Sequence, residues 1–289
     1  MLWVILSVLS AFFSASMSAW LKKFFSDLSH YELAFCPLFY SMPFLCFTYY
    51  WVPTPALHPD LLYWIILLLP FQAIGFFCQM RAIHIAPLSL TMPFLAFTPA
   101  FVVITGAVFL NESLNMWGII GILFIVIGSY VLHINKNDKR LLSPIIGMFR
   151  NSGSVLMFFA ALAYSFAAVF GKQGILYSSP LYFGMLFFII FNGLIIMALI
   201  VFRKVRVQII CQRYALGLVA GFALFGDILA HSIGVYIAKV AYLVSLKRLN
   251  ILISIAYAAL FFNEKNLMIR AIGAVFMLTG SIIIVLLGQ

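Results

Sequence analysis

Two adjacent cations, Lys247 and Arg248, stand within an otherwise apolar run that extends from Val244 to Tyr257. Arginine offers a planar fork of donors that fits a carboxylate or a phosphate, and lysine adds a mobile point charge. A cation at mid-bilayer costs roughly 2.5–3.5 kcal/mol on insertion scales, so such groups are rarely accidental. Lys247, Asn250, Ser254 and Tyr257 recur at steps of three and four, which puts them on one face of a continuous helix. That face is expected to line a protein interior or a wet cavity. Contact with a bound anion is the functional reading; an ion pair, or side chains snorkelling to the interface, is the structural one.

Other residues of chemical interest are read against that pair. Asp227 and His231 lie four apart in the preceding apolar run and share a face. Asp227 can neutralise part of the cationic charge or carry a proton coupled to transport, or the two can simply lock neighbouring helices together. With Asp227 ionised and His231 neutral the cluster nets about +1, which favours an anionic guest. Gln72 and Gln79, seven apart, can hydrogen-bond a ligand or tie helices together. Lys22 and Lys172 end apolar runs and read as a gate or as membrane-surface anchors. Arg81 and His84 read as interfacial. Ser7, Ser10, Ser14 and Ser18 form a small polar stripe whose default role is close helix packing, with cavity lining as the alternative. Glu112 and Glu264 read as turn or cap residues. The four cysteines, Cys36, Cys46, Cys78 and Cys211, show no metal-like spacing, so no metal or other cofactor is expected. Paired carboxylates, zinc-protease spacing and a Ser/His/Asp set at one depth are all missing, which argues against an enzyme acting on lipids. A nucleotide-binding loop is missing as well, which argues against transport driven by ATP alone.

The elements that position these residues follow from composition. Of 289 residues, 65% are hydrophobic and 8% charged, and the mean hydropathy is +1.16. This is a polytopic membrane protein, and its long, non-alternating apolar runs select helices over a barrel. Ten spans are expected, near 2–21, 33–52, 61–85, 88–110, 116–134, 153–171, 180–202, 214–237, 241–262 and 267–287. Sliding the chain so that Ala107 falls on Ala259 brings Phe109, Asn111, Glu112, Met116, Ile120, Gly121, Phe124, Gly128 and Ser129 onto identical residues. The chain is therefore read as two five-helix repeats, residues 1–134 and 153–289, joined by a hydrophilic linker, residues 135–152. Five being odd, the repeats cross the membrane in opposite senses, the mark of secondary transporters with a midplane site. About twelve basic residues fall on the linker side and about two on the other, so the positive-inside rule puts the linker in the cytoplasm and both termini outside. The formal charge of +10 is thus read as orientation rather than as nucleic-acid binding.

Together these segments resemble the drug/metabolite transporter superfamily, EamA type. The resemblance rests on Phe109 to Glu112 followed by Gly121 to Ser129, and on Phe261 to Glu264 followed by Gly273 to Ser281. It implies an all-α fold of ten spans in two inverted halves, located in the cell inner membrane. The Lys-Arg pair also resembles that of the sugar-phosphate translocator branch, where such a pair grips the substrate's phosphate; only Lys247 and Arg248 carry over. The expected function is secondary transport of a small organic anion, carboxylated or phosphorylated, by a monomer in the lipid bilayer. Protons or a counter-substrate would drive the cycle. The alternative is efflux of amino acids or drugs.

Overall fold

The computed structural model describes residues 1–56, 58–87, 91–131, 151–262 and 267–288. All regular structure among them is helical: α1 (Leu2–Phe24), α2 (His30–Trp51), α3 (Leu61–Ile85), a 3-10 segment (Met92–Ala96) that runs into α4 (Phe97–Leu110), α5 (Met116–Val131), α6 (Ser152–Leu176), α7 (Pro180–Val201), a short α8 (Val207–Gln212), α9 (Tyr214–Ile237), α10 (Val240–Lys247), α11 (Asn250–Phe262) and α12 (Leu267–Leu287). Among the described residues, seven stretches are long and apolar enough to cross a membrane, α10 and α11 counting as one, and three shorter apolar helices accompany them. Most of the linker and the turn holding Asn263 and Glu264 lie outside the described residues.

Helix starts follow local chemistry. Ser29 and Glu32 form a capping box at α2, and the Asn151 side chain accepts from Gly153 and Ser154 at α6. Along α1 one face presents Leu2, Ile5, Leu9 and Phe12 to the surroundings, while Ser7, Ser10, Ser14 and Ser18 are buried. With lipid outside there is little hydrophobic drive between helices, so small side chains at the contact allow the backbones to close up.

The packing has a symmetry. α1 packs on α9 and α3 on α6, so the first and third spans of each half meet the third and first of the other. α2 packs on α7, and α5 on α12; α4 lies on α6, while α10 and α11 lie on α1. Exchanging the halves leaves these pairs unchanged, whereas the extensive α2–α9 contact has no counterpart of comparable size between α7 and α3. The glycines that carried the resemblance sit in the α5–α12 crossing. A Cβ on Gly121 would lie 2.8 Å from the Gly280 carbonyl, and one on Gly280 2.5 Å from the Gly121 carbonyl. A Cβ on Gly128 would lie 2.7 Å from the Gly273 carbonyl. Each repeat's Gly-x6-Gly thus packs antiparallel against its copy.

Two spans depart from a single continuous helix. The fourth begins as the 3-10 segment, with Pro93 near its start. The ninth breaks between α10 and α11, where Arg248, Leu249, Ile251 and Leu252 donate to carbonyls three residues back. No proline or glycine marks the break. Instead the Arg248 side chain donates from Nε to the Val244 carbonyl at 3.3 Å, and Ser245 Oγ donates to the Ala241 carbonyl at 2.6 Å. Side chains bonded to i−4 carbonyls compete with the helix ladder.

Ion pairs tie the halves at both ends. At the linker end, Arg213 holds Asp27 with two 2.8 Å bonds, and Arg206 grips Glu32 at 2.8 and 3.1 Å. The Arg213 guanidinium keeps the Asp27 carboxyl below the usual carboxylate range. At the opposite end, Lys172 meets Glu112 at 2.6 Å, and Lys239 donates to the Ser113 carbonyl at 2.7 Å.

Candidate functional site

A cavity with about 1090 Å³ of empty space, part of it open, lies between the halves. Its lining runs from the C-terminal ends of α6 (Ile175) and α9 (Val235) to Gln79, Thr98 and Asn250 deeper in the bundle. It therefore extends inward from the end opposite the linker.

Lys247 and Arg248 both line it, but their surroundings differ. Lys247 Nζ sits 2.7 Å from Asp227 Oδ1, which also accepts from Ser10 Oγ at 2.5 Å. Arg248 is 5% exposed. Its Nε bonds its own helix, and among the described residues no carboxylate comes within ion-pair distance of its guanidinium. Asp227 pairs with Lys247 and acts on Arg248 only at longer range, so the three groups together keep one positive charge. A buried charge without a partner is expensive. His231 lines the same space with its Nδ1 buried and lacking a partner; so do Thr98 Oγ1 and Asn250 Oδ1, among the described residues. Polar atoms of this kind are few in folded proteins and need a reason.

The cavity gathers most of the residues singled out by sequence: Asp227, His231, Lys247, Arg248, Asn250, Gln72, Gln79 and Lys172. Four others lie elsewhere. Ser254 is buried but off the cavity, and the Tyr257 hydroxyl pairs with Ser16 at 2.9 Å. The cause is the tightened turn at 245–252. A 3-10 geometry advances about 120° per residue instead of 100°, so residues beyond it leave the face that Lys247 occupies. Arg81 is exposed near the end of α3. Lys22 donates to the Ile83 carbonyl at 2.6 Å and the Ala86 carbonyl at 3.1 Å. Lys172, its repeat counterpart, donates to the Ala238 carbonyl at 2.7 Å. Each lysine places a cation on the negative C-terminal end of a helix, α3 or α9. Glu112 completes the arrangement by accepting from the Val240 amide at 2.9 Å, at the start of α10.

Sequence reading missed the aromatic part of the site. Tyr164 lines the cavity and donates to Gln79 Oε1 at 2.7 Å. Gly75 makes room for it, since a Cβ there would lie 2.7 Å from the ring. Phe76, Phe183, Phe187 and Phe188 line the cavity as well. With 31 phenylalanines in the chain, nothing in the sequence distinguishes these from lipid-facing ones.

Residues 1–134 match the model of the EamA-like transporter family. This is a family of transporters of the drug/metabolite type rather than of enzymes, and it agrees with the EamA-type resemblance carried by Phe109 to Glu112 and Gly121 to Ser129. The protein is a multi-pass, all-α membrane protein, and its residues 1–134 are similar to a family of membrane transporters. One solved crystal structure of a protein superimposes over 99% of this chain and 97% of its own, with a TM-score of 0.70 and 14% identity. At that identity the likeness speaks to the fold alone. No curated protein matches the chain.

Proposed function

We propose that this protein is a secondary transporter of small organic anions, working by alternating access between two inverted halves, residues 1–134 and 153–289, about the cavity they enclose. The observation that carries the reading is the buried Arg248 beside a Lys247 already paired with Asp227, three groups that together keep one positive charge. Arg248 is the anion's main contact. Lys247, Asn250, His231 and the amides of Gln72 and Gln79 complete the polar part of the site. The broken span places Arg248 at the end of a half-helix, a common construction at transporter midplanes. We further propose inner-membrane residence, a cytoplasmic linker at 135–152 and both termini outside.

The test is a thermal-shift screen of the detergent-purified protein, wild type beside Arg248→Gln. The panel holds carboxylates, phosphorylated sugars, amino acids and cationic drugs. A ligand that binds only the folded state raises its apparent stability, by about 2.7 kcal/mol at a hundred times Kd. Stabilisation by anions in the wild type and its loss in the variant is the expected result. Stabilisation by amino acids or cations that persists in Arg248→Gln would overturn the anion reading and favour efflux of those compounds.

A further inference from the structure

We propose that the cavity selects singly charged aromatic acids, whose anionic group meets Arg248 while the ring lies against the half-buried Phe188. This rests on the anion reading above and narrows it to one ligand chemistry.

The first argument is charge. The lining side chains carry Lys172, Lys247 and Arg248 as cations and Asp227 as the anion. Lys172 is matched by Glu112 and Lys247 by Asp227, and His231 counts as neutral. A single positive charge remains. A carboxylate or sulfonate cancels it. A phosphomonoester carries about −1.5 to −2 at neutral pH and would leave negative charge in a poorly solvated space. A zwitterion brings an ammonium that needs an acid, and among the described residues the one carboxylate in the lining is already engaged by Lys247 and Ser10.

The second argument is shape. Along α7 the rings of Phe183, Phe187 and Phe191 form a ladder, with centroids 5.9 and 6.0 Å apart and planes within 12° and 16° of parallel. Phe183, Phe187 and Phe191 are buried, whereas Phe188 is half-buried and stands at 82° to Phe187 with centroids 5.2 Å apart, so Phe188 is the ring of this row that a ligand can reach. At matching positions along the α6–α7 hairpin, α6 lines the cavity with Ala167, Ala168 and Gly171. A Cβ on Gly171 would have only Leu68 as a neighbour, at 3.8 Å. These small residues leave room beside the rings for a flat group, and aromatic pairs favour offset or edge contacts at such spacings.

The third argument is level. Phe187 and Phe188 lie about eight residues into α7, and Arg248 about eight residues past the start of α10, roughly 12 Å along each axis. Both helices start at the end opposite the linker, so Arg248 and Phe188 stand at similar depth in the cavity that both line.

The test uses four probes on the purified full-length protein: 3-phenylpropanoate, 3-cyclohexylpropanoate, phenyl phosphate and phenylalanine, each titrated by thermal shift. Wild-type protein should bind 3-phenylpropanoate at least about fivefold tighter than the cyclohexyl acid, the scale of one ring–ring contact. It should bind it more than tenfold tighter than phenyl phosphate or phenylalanine. Phe188→Leu should abolish the preference for 3-phenylpropanoate over the cyclohexyl acid. Equal binding of the two carboxylates, or tighter binding of phenyl phosphate, with both lost in Arg248→Gln, would overturn this inference and leave the anion reading intact. If none of the anions binds in an Arg248-dependent way, the anion reading fails and this inference with it. The wild-type comparison decides the matter even if a phenylalanine variant does not fold.

Discussion

Charge balance at single residues gives the sharpest test of the site. Asp227 and Lys247 are each 15% exposed and 2.7 Å apart, so each is the other's compensation. Removing one partner of a buried pair leaves an uncompensated charge and typically costs about 3–5 kcal/mol, whereas replacing both together is often close to neutral. Thermal unfolding of Asp227→Asn and Lys247→Met should therefore show a large loss in each, with the double variant more stable than either. If the two losses simply add, the residues are not coupled, and the count that leaves one positive charge would need revision. This balance was legible from the sequence, because Asp, His, Lys and Arg are conspicuous inside apolar runs and helix spacing ranks their depths. Tyr164 and the α7 phenylalanines carried no comparable signal. In a chain this rich in aromatics, only the tertiary packing tells which rings face the cavity.

Among elements, the α5–α12 crossing joins the two halves through backbone contact. A methyl group added at Gly280 would lie 2.5 Å from the Gly121 carbonyl, and backbone has little freedom to move aside. Gly280→Ala and Gly121→Ala are expected to cost about 1–3 kcal/mol each through overpacking. Gly193→Ala supplies the control. It stands in α7, where an added methyl would meet nothing within 4 Å, and it should leave the unfolding temperature unchanged or raise it slightly, since alanine is the better helix former. Equal effects at all three positions would show that helix propensity, not the crossing, is being measured. The Gly-x6-Gly pattern was visible in the sequence, but its mutual packing was not, because periodicity gives the face of a helix and never the partner. The break in the ninth span was hidden for a related reason. Its cause is hydrogen bonding by Ser245 and Arg248 side chains to their own helix, without the proline or glycine that usually announces a kink.

For the whole molecule, orientation follows from where the basic residues lie, and the ion pairs complicate that count. Arg206 and Arg213 stand at the linker end, yet both are engaged by Glu32 and Asp27 and serve to join the α1–α2 turn to the chain between α7 and α9. Two of the cations that suggest a cytoplasmic linker thus have a structural reason to be there on either side of the membrane. The charge excess still includes Lys136, Lys139, Arg140 and Arg150 in the linker, so the expectation stands that this end faces the cytoplasm. Cysteine labelling in intact cells decides it. Cys211 is an exposed thiol in α8 at the linker end, and Thr54, exposed in the α2–α3 connection, lies at the opposite end. A membrane-impermeant maleimide should label a Cys211→Ser/Thr54→Cys variant in intact cells and reach native Cys211 only after permeabilisation. The reverse pattern would put the termini in the cytoplasm, and would mean that the cavity, which extends inward from the end opposite the linker, starts from the cytoplasmic side.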